Sequence, residues 1–126
     1  MPPLLPPLSL IRIAVAAVWL YEGFWCKLLG GEPGQREIVE AVPRIGPRIG
    51  ASFLKCLGAV EVALALWALS GMLPIPCALV QTLLLVALNA SGLLLARHLI
   101  HDPGGMVVKN FAFLMLVWVS ASFPGR

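Results

Sequence analysis

Arg12 stands inside an apolar run, and seven further polar side chains stand in or beside such runs where they could share one site: Glu22, Lys27, Lys55, Glu61, Gln81, Asn89 and Asn110. Carboxylates and lysines held out of water can accept or donate protons, pair with one another, or hydrogen-bond the polar end of a lipophilic molecule. A charge at the centre of a bilayer costs about 2.5–3.5 kcal/mol on insertion scales. Such groups therefore face a bundle interior or line a path. Amides are cheaper, and interhelical bonds of about 0.6 kcal/mol explain Gln81, Asn89 and Asn110 adequately as glue between helices. The two carboxylates cost more than glue requires, so Glu22 and Glu61 carry the functional reading.

The surroundings of these residues define the solvent. The chain has 126 residues, of which 60% are hydrophobic and only 12% charged. Soluble domains run at about 45–50% apolar and about 25% charged, so the bilayer is the fitting environment. The net charge of +3 does not gather into a stripe or an Arg-rich run, which argues against nucleic acid as a partner.

Four stretches approach the roughly 20 apolar residues a spanning helix needs: 8–29, 51–72, 75–98 and 106–123. The fold class that follows is all-α: one membrane domain over 1–126, a four-helix bundle with a longer interfacial loop between the first two helices. Pro74 and Pro76 suit the start of the third helix, and "DPGG" at 102–105 makes a turn before the fourth. The N-terminus lacks a basic region and a small-residue cleavage site, so an uncleaved first span is expected over a signal peptide.

The long connection, 30–50, contains "PRIG" twice, at 43–46 and 47–50. Pro and Gly argue against regular helix through both copies, whereas Arg36 to Val42 has the pattern for one or two interfacial turns with Ile38, Val39 and Val42 on one face. This segment is expected to lie on the bundle mouth, or to cover it as a lid. Lys27, Arg36, Arg44, Arg48, Lys55, Arg97 and Lys109 fall on the side of the first and third connections, with Arg12 and Arg126 opposite. The positive-inside rule then places loops 30–50 and 98–106 in the cytoplasm, in an inner membrane of bacterial type.

With that threading, Glu22, Lys55, Asn89 and Asn110 occupy the same half of the membrane, one from each helix. Glu61 lies just beneath them, about 15 Å into the second helix at 1.5 Å per residue. Its face carries Gly58, Ala65 and Ala68, small residues that let a neighbouring helix approach. One shared polar pocket is the expectation, with Lys27 or Lys55 as its cation.

Other constellations are weaker. Cys26 stands one α-helical turn beyond Glu22, and Cys56 lies near the same membrane face. Three cysteines without a CxxC do not make a framework. His98, His101 and Asp102 in "RHLIHDP" have ligand chemistry, but at a helix end they read better as dipole and turn residues. No metal site is expected.

"WLYEGFWCKLL", "LKCLGAVEVALALWALSG", the Gln81–Asn89 spacing, "ARHLIHDPGGMVVKN" and "FLMLVWV", in that order, resemble the DoxX-like membrane proteins of the DoxX superfamily. The resemblance covers nearly the whole chain. It implies a four-helix bundle in which Glu22, Lys27, Gly58, Glu61, Gln81, Asn89, Asp102, Pro103 and Asn110 match recurring polar and turn positions.

About function the resemblance implies less. Relatives include the membrane subunit of a thiosulfate:quinone oxidoreductase, DoxX-like domains fused behind a reductase-like dinucleotide-binding domain, and eukaryotic membrane trafficking or assembly factors. Those fusions would put the N-terminus in the cytoplasm, opposite to the charge count. The leading expectation is a membrane subunit or binding bundle for a quinone-like or other lipophilic molecule, with a separate oxidoreductase as partner and self-association into an oligomer. It has no redox centre of its own and is expected not to be an enzyme by itself. The alternatives are a proton-coupled exporter and a non-catalytic scaffold.

Overall fold

A computed structural model describes residues 6–29, 37, 40–41, 46–100 and 102–122. Among these the regular structure is entirely helical. Helix α1 spans Leu8–Leu20 and continues without a break as a π-helix, Tyr21–Leu28. Helices α2, α3 and α4 span Gly46–Ser70, Pro74–Leu95 and Pro103–Ala121. Four segments, Leu8–Leu28, Arg48–Ser70, Pro74–Leu95 and Pro103–Ala121, are long and apolar enough to cross a membrane. Their outward faces are leucine, isoleucine, valine and phenylalanine, as at Leu83, Leu94, Val108 and Phe111, which lipid solvates and water does not.

The helix ends follow from local chemistry. The chain enters α1 extended at Pro7, whose carbonyl accepts from the amides of Leu10 and Ile11. At the far end of α1 the amide of Tyr21 is shared between the carbonyls of Ala17 and Val18, and the ladder then shifts to five-residue bonds, seen in Leu29 N–H to Phe24 O at 2.9 Å.

Helix α2 begins earlier than the sequence predicts. The second "PRIG" lies inside its first turn, where proline loses no helical bond because the first N–H groups have no partner there. Most of the proposed interfacial segment, including Ile38, Val39 and Val42, lies outside the described residues. Helix α2 stops at Gly71, whose φ of +70° suits glycine. Ser70 Oγ then accepts from the amide of Met72, and the Trp67 indole donates to the Met72 carbonyl at 2.8 Å. Leu73, at φ 45°, completes the reversal into Pro74 and Pro76.

Helix α3 ends at Leu95, followed by a 3-10 turn, Arg97–Leu99, in place of the further helical turn the sequence suggests. Asp102 caps α4 by accepting the amide of Gly105 at 3.1 Å.

The α1 and π segments pack chiefly against α2, and α3 packs chiefly against α4. All four helices close on one another in the half holding the chain reversal 71–73. There Val15, Ala16 and Trp19 meet Leu64, Ala65, Ala78, Val117 and Ala121, all buried. The other half, towards the first and third connections, is hollow.

Candidate functional site

The hollow is a cavity of about 400 Å³. One wall comes from the π segment and α2, with Glu22, Lys27, Leu54, Leu57 and Glu61. The facing wall comes from α3 and α4, with Leu85, Leu88, Asn89, Gly92, Lys109 and Asn110. Trp19 and Phe113 also line it, and Ile100 from the third connection and Met106 from the first turn of α4 border it.

The first wall depends on two glycines. A Cβ built on Gly23 would stand 2.6 Å from the Gly58 carbonyl oxygen and 2.9 Å from Glu61 Cβ. One on Gly58 would stand 2.8 Å from the Gly23 carbonyl oxygen and 2.9 Å from Lys27 Cβ. The helices touch backbone to backbone here, and that contact brings Lys27 against Glu61. Lys27 Nζ donates to Glu61 Oε1 at 3.0 Å and lies 3.6 Å from Glu22 Oε1. It also reaches the Glu22 carbonyl oxygen at 3.4 Å. Glu61 is only 1% exposed and Lys27 8%, whereas Glu22 reaches the open rim.

The π-helix makes this triad. In an α-helix, residues five apart are about 140° apart round the axis, at 3.6 residues per turn. Bonding five residues back widens the turn and brings Lys27 beneath Glu22. The α-helical expectation pairs Glu22 with Cys26 instead. Cys26 is buried, Cys56 is exposed, and neither they nor Cys77 forms a disulfide.

The facing wall is held by amides. Asn110 Nδ2 donates to Asn89 Oδ1 at 2.7 Å, joining α4 to α3, and Asn89 Nδ2 returns to the Leu85 carbonyl at 2.8 Å. Beneath the cavity, Trp19 Nε1 donates to Gln81 Oε1 at 2.7 Å, while Gln81 Nε2 donates to Cys77 Sγ at 3.3 Å. The Trp19 ring meets Phe113 edge to face, centroids 5.6 Å apart.

Of the seven residues singled out in the sequence, the cavity brings together Glu22, Lys27, Glu61, Asn89 and Asn110. Gln81 lies behind Trp19 and fixes its indole without lining the space. Lys55 is exposed and off the cavity. Six residues from Glu61, it stands about 240° round an α-helix, so the geometry of α2 turns the two apart and leaves Lys27 as the cation on this wall.

Among the lining residues, Trp19 and Phe113 carry no mark in the sequence beyond their place in apolar runs. Lys109 read as a topology marker, although its place beside Asn110 at the start of the last helix was a usable signal. Among the described residues no group of three or more His, Cys, Asp or Glu could hold a metal, and His101 lies outside them.

One atom is left over. Glu61 Oε2 is fully buried and has no hydrogen-bond partner among the described residues. A buried carboxylate oxygen without a donor is costly, and this one belongs to a side chain that lines the cavity.

The family model described as the DoxX-like family matches residues 16–118. The chain belongs to the DoxX-like family. The match takes in all seven polar residues and both walls of the cavity. No curated protein and no solved structure shows a significant match to the chain. This DoxX-like protein is thus a small, multi-pass integral membrane protein whose helices contact the bilayer.

Proposed function

We propose that this DoxX-like protein binds a small lipophilic, quinone-like molecule between its helices and serves as a membrane subunit for a separate oxidoreductase. The observation that carries the reading is the cavity itself: leucine and aromatic walls with polar groups concentrated at a few points. This is the usual makeup of a small-molecule site, and about 400 Å³ falls within the range of such pockets. Trp19 and Phe113, edge to face with each other, would form an aromatic floor for a flat ring. Glu61 with Lys27 on one side, and Asn110 with Lys109 on the other, would engage oxygens at its edges. Ile100 of the third connection and Met106 at the start of α4 border the cavity, so a soluble partner docking on that connection would sit close to the ligand.

The direct test is to reconstitute the purified protein in nanodiscs and titrate a short-chain benzoquinone. Saturable binding, abolished by Leu88→Trp, which fills the space, is expected. A wild-type protein that takes up no more quinone than empty nanodiscs would remove the proposal. If the quinone fails and a transported solute instead protects the cavity from labelling, the exporter reading takes its place.

A further inference from the structure

We infer that Arg12, held against the reversal between α2 and α3, binds the phosphate of an anionic phospholipid headgroup at the end of the bundle opposite the cavity. This site is separate from the cavity and does not depend on what the cavity holds.

Arg12 is the fifth residue of α1, about 6 Å from the start of the helix at 1.5 Å per residue. It is half-buried, and its guanidinium rests on Gly71. A Cβ built on that glycine would stand 2.6 Å from Arg12 Cζ and Nη1 and 2.9 Å from Nη2. The φ of +70° at Gly71 favours glycine as well. The reversal thus provides a bed that fits the arginine head and no added side chain.

What the guanidinium lacks there is an acceptor. It carries its charge in proteins and only donates, and among the described residues it has no hydrogen bond or ion pair. Acceptors of the reversal are engaged elsewhere: the Trp67 carbonyl by Ser70 Oγ, the Met72 carbonyl by the Trp67 indole, and the Ala68 carbonyl by the Gly71 amide. The chain has six acidic side chains, and none belongs to this end. Glu22 and Glu61 line the cavity, Glu32, Glu37 and Glu40 belong to the first connection, and Asp102 caps α4. A cation inside a span pairs with another group or reaches the headgroups. With no carboxylate on these helix ends, the anion comes from the bilayer.

The level is right for it. Trp67 closes the same reversal, and tryptophan settles at the headgroup level. Phosphate oxygens accept two parallel N–H bonds from one guanidinium. A zwitterionic headgroup brings its own cation beside Arg12, so a net-anionic one such as phosphatidylglycerol is the better fit.

The test extracts the full chain in mild detergent from vesicles of equal parts phosphatidylglycerol and phosphatidylcholine with the same acyl chains, and measures retained lipid by native mass spectrometry. Hydrogen bonds to charged groups support about tenfold more phosphatidylglycerol than phosphatidylcholine on the wild type. Arg12→Gln should bring the two close to equal, and Arg12→Lys, a point charge without the fork, should fall between. Gly71→Asn, tolerated at positive φ, displaces the guanidinium with its charge kept and should also lose the preference, which covers a failure of Arg12→Gln to fold. Lys55→Gln, exposed near the other end of α2, should keep the wild-type ratio. Equal retention by the wild type would overturn the inference, as would a preference that survives Arg12→Gln or vanishes in Lys55→Gln. Inorganic phosphate should not raise the melting temperature of the delipidated protein. A rise that Arg12→Gln abolishes would overturn the lipid in favour of a free anion.

Discussion

The backbone of Gly23 lies directly on that of Gly58, with 2.6 Å between the Gly58 carbonyl oxygen and the place where a Gly23 side chain would begin. Everything polar on the first wall is registered by that contact, because Lys27 and Glu61 sit immediately beside it.

Gly23→Ala and Gly58→Ala should each lower thermal stability in detergent, by the equivalent of about 1–3 kcal/mol, the usual cost of overpacking. Gly104→Ala provides the contrast, since a Cβ there meets nothing within 4 Å. It should leave the melting temperature unchanged or raise it slightly, alanine being the better helix former. Equal melting temperatures for all three variants would remove the role given to the contact.

Lys27→Met should destabilise strongly, because it leaves Glu61 buried with no cation. Loss of one partner of a buried pair costs about 3–5 kcal/mol. The double variant Lys27→Met/Glu61→Leu should recover most of the lost stability, since replacing both partners with apolar groups is often neutral. A double variant as unstable as Lys27→Met alone would mean that the pair is not the source of the effect.

The Asn110–Asn89 bond between α4 and α3 should prove weak. A double-mutant cycle with alanine at both positions should give a coupling of about 0.6 kcal/mol, as for membrane helix pairs in general. A coupling several times larger would show that this amide pair, and not the packed half of the bundle, holds the second pair of helices together.

Trp19 borders the cavity while Trp67 caps the reversal at the other end of α2. Quinone added to the reconstituted protein should therefore quench tryptophan fluorescence. The saturable part should vanish in Trp19→Phe and persist in Trp67→Phe. The opposite pattern would move the ligand out of this cavity.

The spans were legible because apolar length is a direct reading of what lipid requires. Glu22 and Glu61 were legible because a carboxylate is expensive in oil, and Asn89 and Asn110 because they share a membrane depth with Glu22. What hydropathy does not record is the angle at which a side chain leaves its helix. Lys27, five residues from Glu22, looks misplaced on an α-helical wheel and becomes its neighbour only through the wider π turn. Lys55 shows the reverse: its membrane depth suited the pocket, yet its angle on α2 points it away from Glu61. The start of α2 at Gly46, just ahead of the second "PRIG", was obscured by reading proline as a breaker where it stood at a helix entrance. Lys109 was hidden by its own charge, which served equally well as a marker of membrane sidedness.

The wide turn at Tyr21–Leu28 also decides what a change of helix type or a deletion would do here. Straightening the segment to ordinary α-helix with every residue kept would put Lys27 about 140° from Glu22. Removing one residue between them would instead leave them four apart, about 40° round an α-helix, with the lysine still beneath Glu22. The width of the turn and the number of residues in it are set together.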